Sequence, residues 1–228
     1  MMDHVRDLVS VQDGTERLLR AVAALDDDAV TDASRLPGWT RGHVLTHLSR
    51  NADALVNVLQ GRPMYASAEA RDADIESGAP RPLDVQADDL RASASRFREA
   101  AAAPADWART VELRNGITDS ASRLPFRRWV EIELHHVDLG VGYELEDVPA
   151  EFVERETDFL AERFRGHSDV PATRLTDGTR AWSTGQEADT PVVTVSGAPA
   201  DLLGWLTGRR DGAALKAEGG PLPALPPL

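Results

Sequence analysis

Four long segments in the first two thirds of the chain carry apolar residues at intervals of three and four, which is the spacing of one buried helix face. The pattern predicts helices over about 3–25, 41–60, 84–103 and 125–142. Gly14 is the only weak point of the first of these helices, while Thr40 is suited to cap the second and Gly61 to end it. Amphipathic helices of similar length bury their apolar faces against one another, so the sequence predicts a four-helix bundle.

Two connections between these helices have weaker patterns. Residues 61–82 lack a clean period and predict at most one short helix, over 67–76. Residues 105–122 contain an Asn115-Gly116 turn signal, which fits either a long loop or a small hairpin.

The last third of the chain changes character. Apolar periodicity predicts two further helices, over 151–164 and 197–207. Alternating Thr, Val and Trp residues predict strands over 172–184 and 190–196.

The sequence therefore divides into two parts, with a break near residues 143–150. We expect a mainly α protein in which residues 1–145 form a four-helix bundle and residues 146–228 form a small α+β domain. The break is marked by Pro149, which follows an acidic run and cannot continue the preceding helix.

Two features of the composition exclude whole classes of site and partner. The chain has no cysteine, which excludes disulfides, cysteine nucleophiles, thiolate metal ligands and iron–sulfur clusters. Its 38 acidic residues against 25 Lys and Arg give a net charge of -13, which argues against nucleic acid and membrane surfaces as partners. The N-terminal segment lacks the basic region and apolar stretch of a signal peptide, so a cytoplasmic location is expected.

Four of the six histidines lie on the second and fourth predicted helices. Glu131 and His135 are four residues apart and therefore share one helix face, about 40° apart around the axis. Asp138 lies further along the same side. This face borders the predicted apolar stripe of the helix, so a metal ion bound there would be semi-buried. The predicted stripe consists of Val130, Leu134, Val137 and Val141.

The second helix offers His43 and His47, which are also four residues apart. No glutamate follows the first of them directly, which excludes the HExxH pattern of metalloproteases. One of these histidines with Glu131 and His135 would supply three ligands and leave an open position, as in catalytic zinc sites. Zinc is the first expectation, with manganese, nickel and iron as alternatives. The spacing alone also fits an exposed Glu and His pair, worth about 0.2–0.5 kcal/mol.

Three segments carry a resemblance to a known family. They are Leu36-Pro37-Gly38-Trp39-Thr40-Arg41-Gly42-His43-Val44-Leu45-Thr46-His47-Leu48, Glu131-x-x-x-His135-x-x-Asp138-Leu139, and Gly197 through Trp205-Leu206-Thr207-Gly208-Arg209. In order and spacing they resemble the mycothiol-dependent maleylpyruvate isomerase family, within the DinB-like metalloenzyme superfamily. The third segment belongs to a C-terminal module that simpler DinB-like proteins lack.

The resemblance implies both a fold and a set of site residues. The bundle would be DinB-like and the C-terminal domain similar to sterol-carrier folds, and His47, Glu131 and His135 would be the metal ligands. Arg209 occupies the position of an arginine important for activity in this family, with Arg210 as the competing choice. Asp138 is expected to orient an imidazole or to accept a proton.

The family reaction converts maleylpyruvate to fumarylpyruvate, a cis to trans change at a carbon–carbon double bond. A thiolate that adds reversibly to the alkene permits rotation, and a chain without cysteine must obtain that thiol from outside. The resemblance implies that this thiol is mycothiol. The substrate would be a small dicarboxylate, and the sequence does not identify the mycothiol-binding residues. Two alternatives are a mycothiol S-transferase acting on another electrophile and a bundle that binds a metal or ligand without catalysis.

Overall fold

The computed structural model describes residues 3–103, 106–188 and 190–227. The chain divides into two compact units, residues 1–143 and 144–228, which are considered separately. The described residues are mainly helical with small sheets, which confirms the predicted fold class. No helix within the described ranges is both long and apolar enough to span a membrane.

The first unit contains the predicted bundle. Its helices are α1 (His4–Ala23), α2 (Arg41–Leu59), α3 (Ala68–Gly78), α4 (Leu83–Ala102) and α5 (Leu124–Asp138). The four long helices α1, α2, α4 and α5 pack around a shared apolar core, and α2 lies against both α4 and α5. The short α3 lies against α2, in the connection where the sequence pattern was weakest.

Local chemistry fixes the ends of α2. The Thr40 hydroxyl accepts a hydrogen bond from the His43 backbone N–H, and His43 Nδ1 accepts one from the Thr40 backbone N–H at 3.1 Å. This reciprocal capping box satisfies two backbone donors that have no partner within the helix. At the other end, Gly61 has a φ of 74°, a left-handed conformation that favours glycine.

The last bundle helix is shorter than the sequence predicts. α5 ends at Asp138, because Gly140 and Gly142 adopt φ angles of 65° and 87° that leave the helical region. The predicted apolar stripe was partly wrong, since Val130 and Val141 are only half-buried. The helix instead buries a broader face that includes Trp129 and Ile132.

The segment before α5 forms the hairpin, rather than the loop, of the two sequence alternatives. Strands β1 (Thr110–Glu112) and β2 (Thr118–Ser120) pair antiparallel, with Val111 opposite Asp119. Asn115 and Gly116 both have positive φ, at 61° and 71°, as the turn signal indicates.

The second unit is an α+β arrangement. It contains α6 (Ala150–Arg163), β3 (Thr173–Thr176), β4 (Ala181–Thr184), β5 (Val193–Ser196), α7 (Pro199–Leu206) and β6 (Lys216–Glu218). The strand order is β4-β3-β5-β6, in which β3 and β5 are parallel and the other pairs antiparallel. Strand β6 was not predicted, because Lys and Ala are poor strand formers and only pairing with β5 makes the segment extended.

Candidate metal centre

Three side chains from two helices converge in the first unit. His47 comes from α2, and Glu131 and His135 come from successive turns of α5. One possible ligand atom from each lies within 4.8 Å of the others. Glu131 Oε2 is 2.9 Å from His47 Nε2 and 3.2 Å from His135 Nε2. Packing of α2 against α5 therefore joins a helical Glu and His pair to one histidine distant in sequence.

The cluster is semi-buried, as its sequence position predicts. The exposed fraction is 8% for the His47 side chain, 15% for His135 and 30% for Glu131. A ligand or solvent molecule can therefore reach the carboxylate, while the surrounding bundle shields both imidazoles.

The cluster shifts the pKa of each of its members. Burial opposes ionisation of Glu131, but hydrogen bonds from His135 and His47 outweigh it and hold the pKa of that carboxyl well below its ordinary value. Burial lowers the pKa of His47 below its ordinary value. Burial also opposes protonation of His135, but hydrogen bonds to Asp138 and Glu131 raise its pKa overall. Near neutral pH the cluster therefore contains a carboxylate and a neutral His47, both of which can bind a cation.

A carboxylate supports His135 from the side away from Glu131. Asp138 Oδ2 lies 2.8 Å from His135 Nδ1, and the Asp138 side chain is 1% exposed. Such a partner fixes the ring orientation and directs the other ring nitrogen toward a metal ion. Two imidazoles, one carboxylate and a supporting carboxylate form a donor set suited to a divalent transition metal with an open coordination position. The residues present therefore fit a divalent metal ion.

Two family models match this chain. The model for the mycothiol maleylpyruvate isomerase N-terminal domain matches residues 11–140, and the model for the MDMPI C-terminal domain matches residues 147–227. The chain belongs to this isomerase family. Among curated protein sequences none matches this chain.

Two solved structures from the family are similar over almost the whole chain. A crystal structure of the mycothiol-dependent maleylpyruvate isomerase is 25% identical and has a TM-score of 0.89. A variant of that isomerase, in which one histidine is replaced by alanine, is 24% identical with the same TM-score of 0.89. Each alignment covers 99% of this chain and 97% of the other.

The other two histidines on α2 and α5 are His43 and His136. Both lie outside the cluster of His47, Glu131 and His135. His43 Nδ1 is 2.8 Å from the Thr40 hydroxyl, so this ring belongs to the cap of α2. His136 is 3% exposed, and its ring stacks on that of Tyr143 with the centroids 4.0 Å apart. Because adjacent helical residues diverge by about 100°, only one histidine of the 135–136 pair can face Glu131.

Arg71 is a neighbour of the cluster that the sequence pattern did not identify. It lies on α3, and its Nη2 is 3.3 Å from His47 Nδ1. Its side chain is 14% exposed, and its guanidinium lies 5.9 Å from the centre of the Tyr65 ring. Burial, together with the charge of Glu131, raises the pKa of Tyr65. Nothing in the irregular 61–82 segment distinguishes these two residues before α3 is packed on α2.

Arg209 and Arg210 belong to the second unit and follow α7. Arg210 is held by two carboxylates, with Nη1 2.6 Å from Asp201 Oδ1 and Nη2 2.7 Å from Glu146 Oε2. Arg209 Nη1 donates to the Thr207 carbonyl at 3.3 Å. The structure thus gives Arg210 a role in stabilising the second unit.

Proposed function

We propose that this protein is a metal- and mycothiol-dependent isomerase that converts maleylpyruvate to fumarylpyruvate. The main support is the convergence of His47, Glu131 and His135 in a chain that contains both domains of the isomerase family. We also propose that residues 1–145 form the metal-binding domain and residues 146–228 a second domain. A cytoplasmic location is proposed as well, because small thiols are kept reduced there.

The isomerisation needs a thiol that this chain does not contain. Mycothiol would supply a sulfur nucleophile that adds to the activated alkene, allows rotation about the resulting single bond and is then eliminated with the trans alkene restored. The thiol is regenerated, so the reaction is redox-neutral and the substrate and product have the same composition. The absence of cysteine is consistent with this use of an external thiol.

We propose that His47, Glu131 and His135 hold the metal ion, with zinc as the first expectation for this donor set. A divalent ion at this position would favour the thiolate form of a bound thiol at neutral pH. Asp138 holds the His135 ring in the orientation that presents Nε2 to the site. The low pKa of Glu131 keeps its carboxylate available without competition from a proton.

An acidic protein needs a local cation to bind a dicarboxylate substrate. We propose Arg71 for this role in the first unit, because its guanidinium lies beside His47 and its side chain remains partly exposed. Arg209 is a separate candidate for binding a carboxylate, proposed on the basis of the family resemblance alone. A guanidinium can bind a carboxylate through two parallel hydrogen bonds, which also orients the substrate.

The direct test is an assay of maleylpyruvate disappearance with metal-analysed protein, in the presence and absence of mycothiol. We expect fumarylpyruvate to form only when mycothiol is present, and we expect the rate to follow metal content. The matched thiol control is glutathione at the same concentration. Formation of a stable thiol conjugate in place of fumarylpyruvate, or turnover without thiol, would contradict the proposal.

A further inference from the structure

Arg128 is a fully buried cation with incomplete hydrogen bonding. Its side chain is 1% exposed, and Nη1 donates to the Leu48 carbonyl at 2.8 Å and to Asn51 Oδ1 at 2.9 Å. Both acceptors are uncharged. Nη2 has no hydrogen-bond partner among the described residues. Burial lowers the pKa of Arg128 to about 10, which reflects how poorly its charge is compensated.

The acidic residues whose charges act on Arg128 are engaged elsewhere. Glu131 and Asp53 both stabilise the Arg128 charge through space. Glu131 is hydrogen-bonded to His47, and Asp53 is 2.7 Å from Arg96 Nη2. A buried charge without a close counterion is costly to the folded state, so this position favours an added anion.

Arg128 also lines a cavity between α1 and α4. The cavity has a volume of about 290 Å³, close to the lower end of the range of about 300–1,000 Å³ for ligand pockets. Its apolar lining comes from Leu8, Val11, Leu19, Ala94 and Phe97. None of the three residues of the candidate metal centre lines it.

The charges around this cavity are positive on balance, although the whole chain is acidic. Arg91 and Arg98 on α4 join Arg128 in its lining, against the single carboxylate of Glu16 on α1. Glu16 is exposed and accepts a hydrogen bond from Gln12 at 3.1 Å. The cavity therefore combines apolar walls with an excess of cations, which suits an amphiphilic anion.

We propose that the cavity between α1 and α4 binds a small amphiphilic carboxylate. The carboxylate would accept hydrogen bonds from the Arg128 guanidinium, and the apolar body would lie along Val11, Leu19 and Phe97. This ligand site is distinct from the candidate metal centre and does not depend on the proposed isomerase activity.

The test is calorimetric titration of the full-length, metal-loaded protein with octanoate. We expect saturable binding of octanoate. We expect octan-1-ol to bind with at least about tenfold lower affinity, because it lacks the charge that pairs with Arg128. Arg128→Met should weaken octanoate binding about tenfold or more. Arg91→Met is the matched control, because the Arg91 side chain is 51% exposed and paired with Asp88, and it should change the affinity less.

A second variant keeps the test decisive if Arg128→Met does not fold. Ala94→Leu leaves Arg128 in place and fills the cavity from α4 at a half-buried position, so it should also abolish octanoate binding. Thermal melting of each variant establishes that it is folded. No binding of octanoate to the unaltered protein, or equal binding to the Ala94→Leu variant, would overturn the proposal.

Discussion

Asp138 Oδ2 lies 2.8 Å from His135 Nδ1, while the other nitrogen of that ring faces Glu131 at 3.2 Å. A buried carboxylate therefore orients one of the three candidate ligands. Asp138→Asn should keep the size of the side chain but weaken metal binding about 10–100-fold, because the ring loses its charged partner. Competition with a chromogenic chelator measures this affinity. Asp13→Asn, at an exposed position of α1, is the control, and an unchanged affinity in Asp138→Asn would refute the orienting role.

His47 and His43 provide a matched pair on one helix. His47→Ala should remove bound metal and mycothiol-dependent activity, because one of three ligands is lost. His43→Gln should retain both, since glutamine at this position can still complete the capping box of α2. Metal analysis of the purified variants checks the prediction. Full metal content and activity in His47→Ala would exclude His47 as a ligand.

Arg71 and Arg209 can be compared through substrate binding. Arg71→Met should raise the KM for maleylpyruvate about tenfold or more while metal content stays unchanged, because a charged hydrogen bond to the substrate is lost. We expect Arg209→Met to act in the same direction. Arg62→Met is the control, because this exposed arginine comes from the same segment as Arg71. If the Arg71 variant instead loses metal and keeps its KM, Arg71 acts by supporting His47.

Glu133 is a structural residue of the bundle, although it lies two positions from Glu131. Its carboxylate is fully buried and accepts hydrogen bonds from Trp129 Nε1 at 2.7 Å and the Tyr143 hydroxyl at 2.6 Å, and it also pairs with Arg17. Glu133→Gln should lower the free energy of unfolding by about 1.5–3 kcal/mol, because hydrogen bonds to a charged acceptor are lost.

Urea unfolding of the metal-loaded protein measures this change. Tyr143→Phe removes one of these donors and should have a smaller effect in the same direction. Metal content should remain unchanged in both variants. A Glu133→Gln protein that is as stable as the unaltered one would contradict the structural role.

The second unit should lose stability at acid pH as Glu146 becomes protonated. The hydrogen bond from Arg210 lowers the pKa of Glu146 below its ordinary value. A lowered folded-state pKa stabilises the fold above the unfolded pKa of about 4.3, and this contribution is lost as the pH falls through the folded-state value. The effect should be small, since the Glu146 side chain is 59% exposed. Between about pH 3 and 7, the melting temperature of both Glu146→Gln and Arg210→Met should fall less steeply with decreasing pH than that of the unaltered protein. An unchanged pH dependence would contradict the pairing.

The helices of both units could be predicted because their signals are local. Apolar spacing, the Thr40 cap and the Asn115-Gly116 turn act within a few residues of chain, and each appears where the sequence places it. The end of α5 and the strand β6 were predicted wrongly or missed. The end of α5 depends on the backbone angles of the glycines that follow it, and β6 depends on pairing with β5. Neither is visible in the spacing of apolar side chains.

The sequence by itself determined the helical pairing of Glu131 with His135, because residues four apart share a face in any α-helix. The packing of α2 on α5 decided that His47 joins them across 84 residues, and the packing of α3 on α2 decided that Arg71 lies beside it. Gly14 shows the same difference between sequence and packing. The sequence indicates only that it is a weak point in α1. In the folded bundle a Cβ there would lie 2.8 Å from Glu133 Oε1, so any larger residue would displace the buried Glu133 carboxylate. Contacts between distant side chains depend on how the helices pack, which helical periodicity alone does not specify.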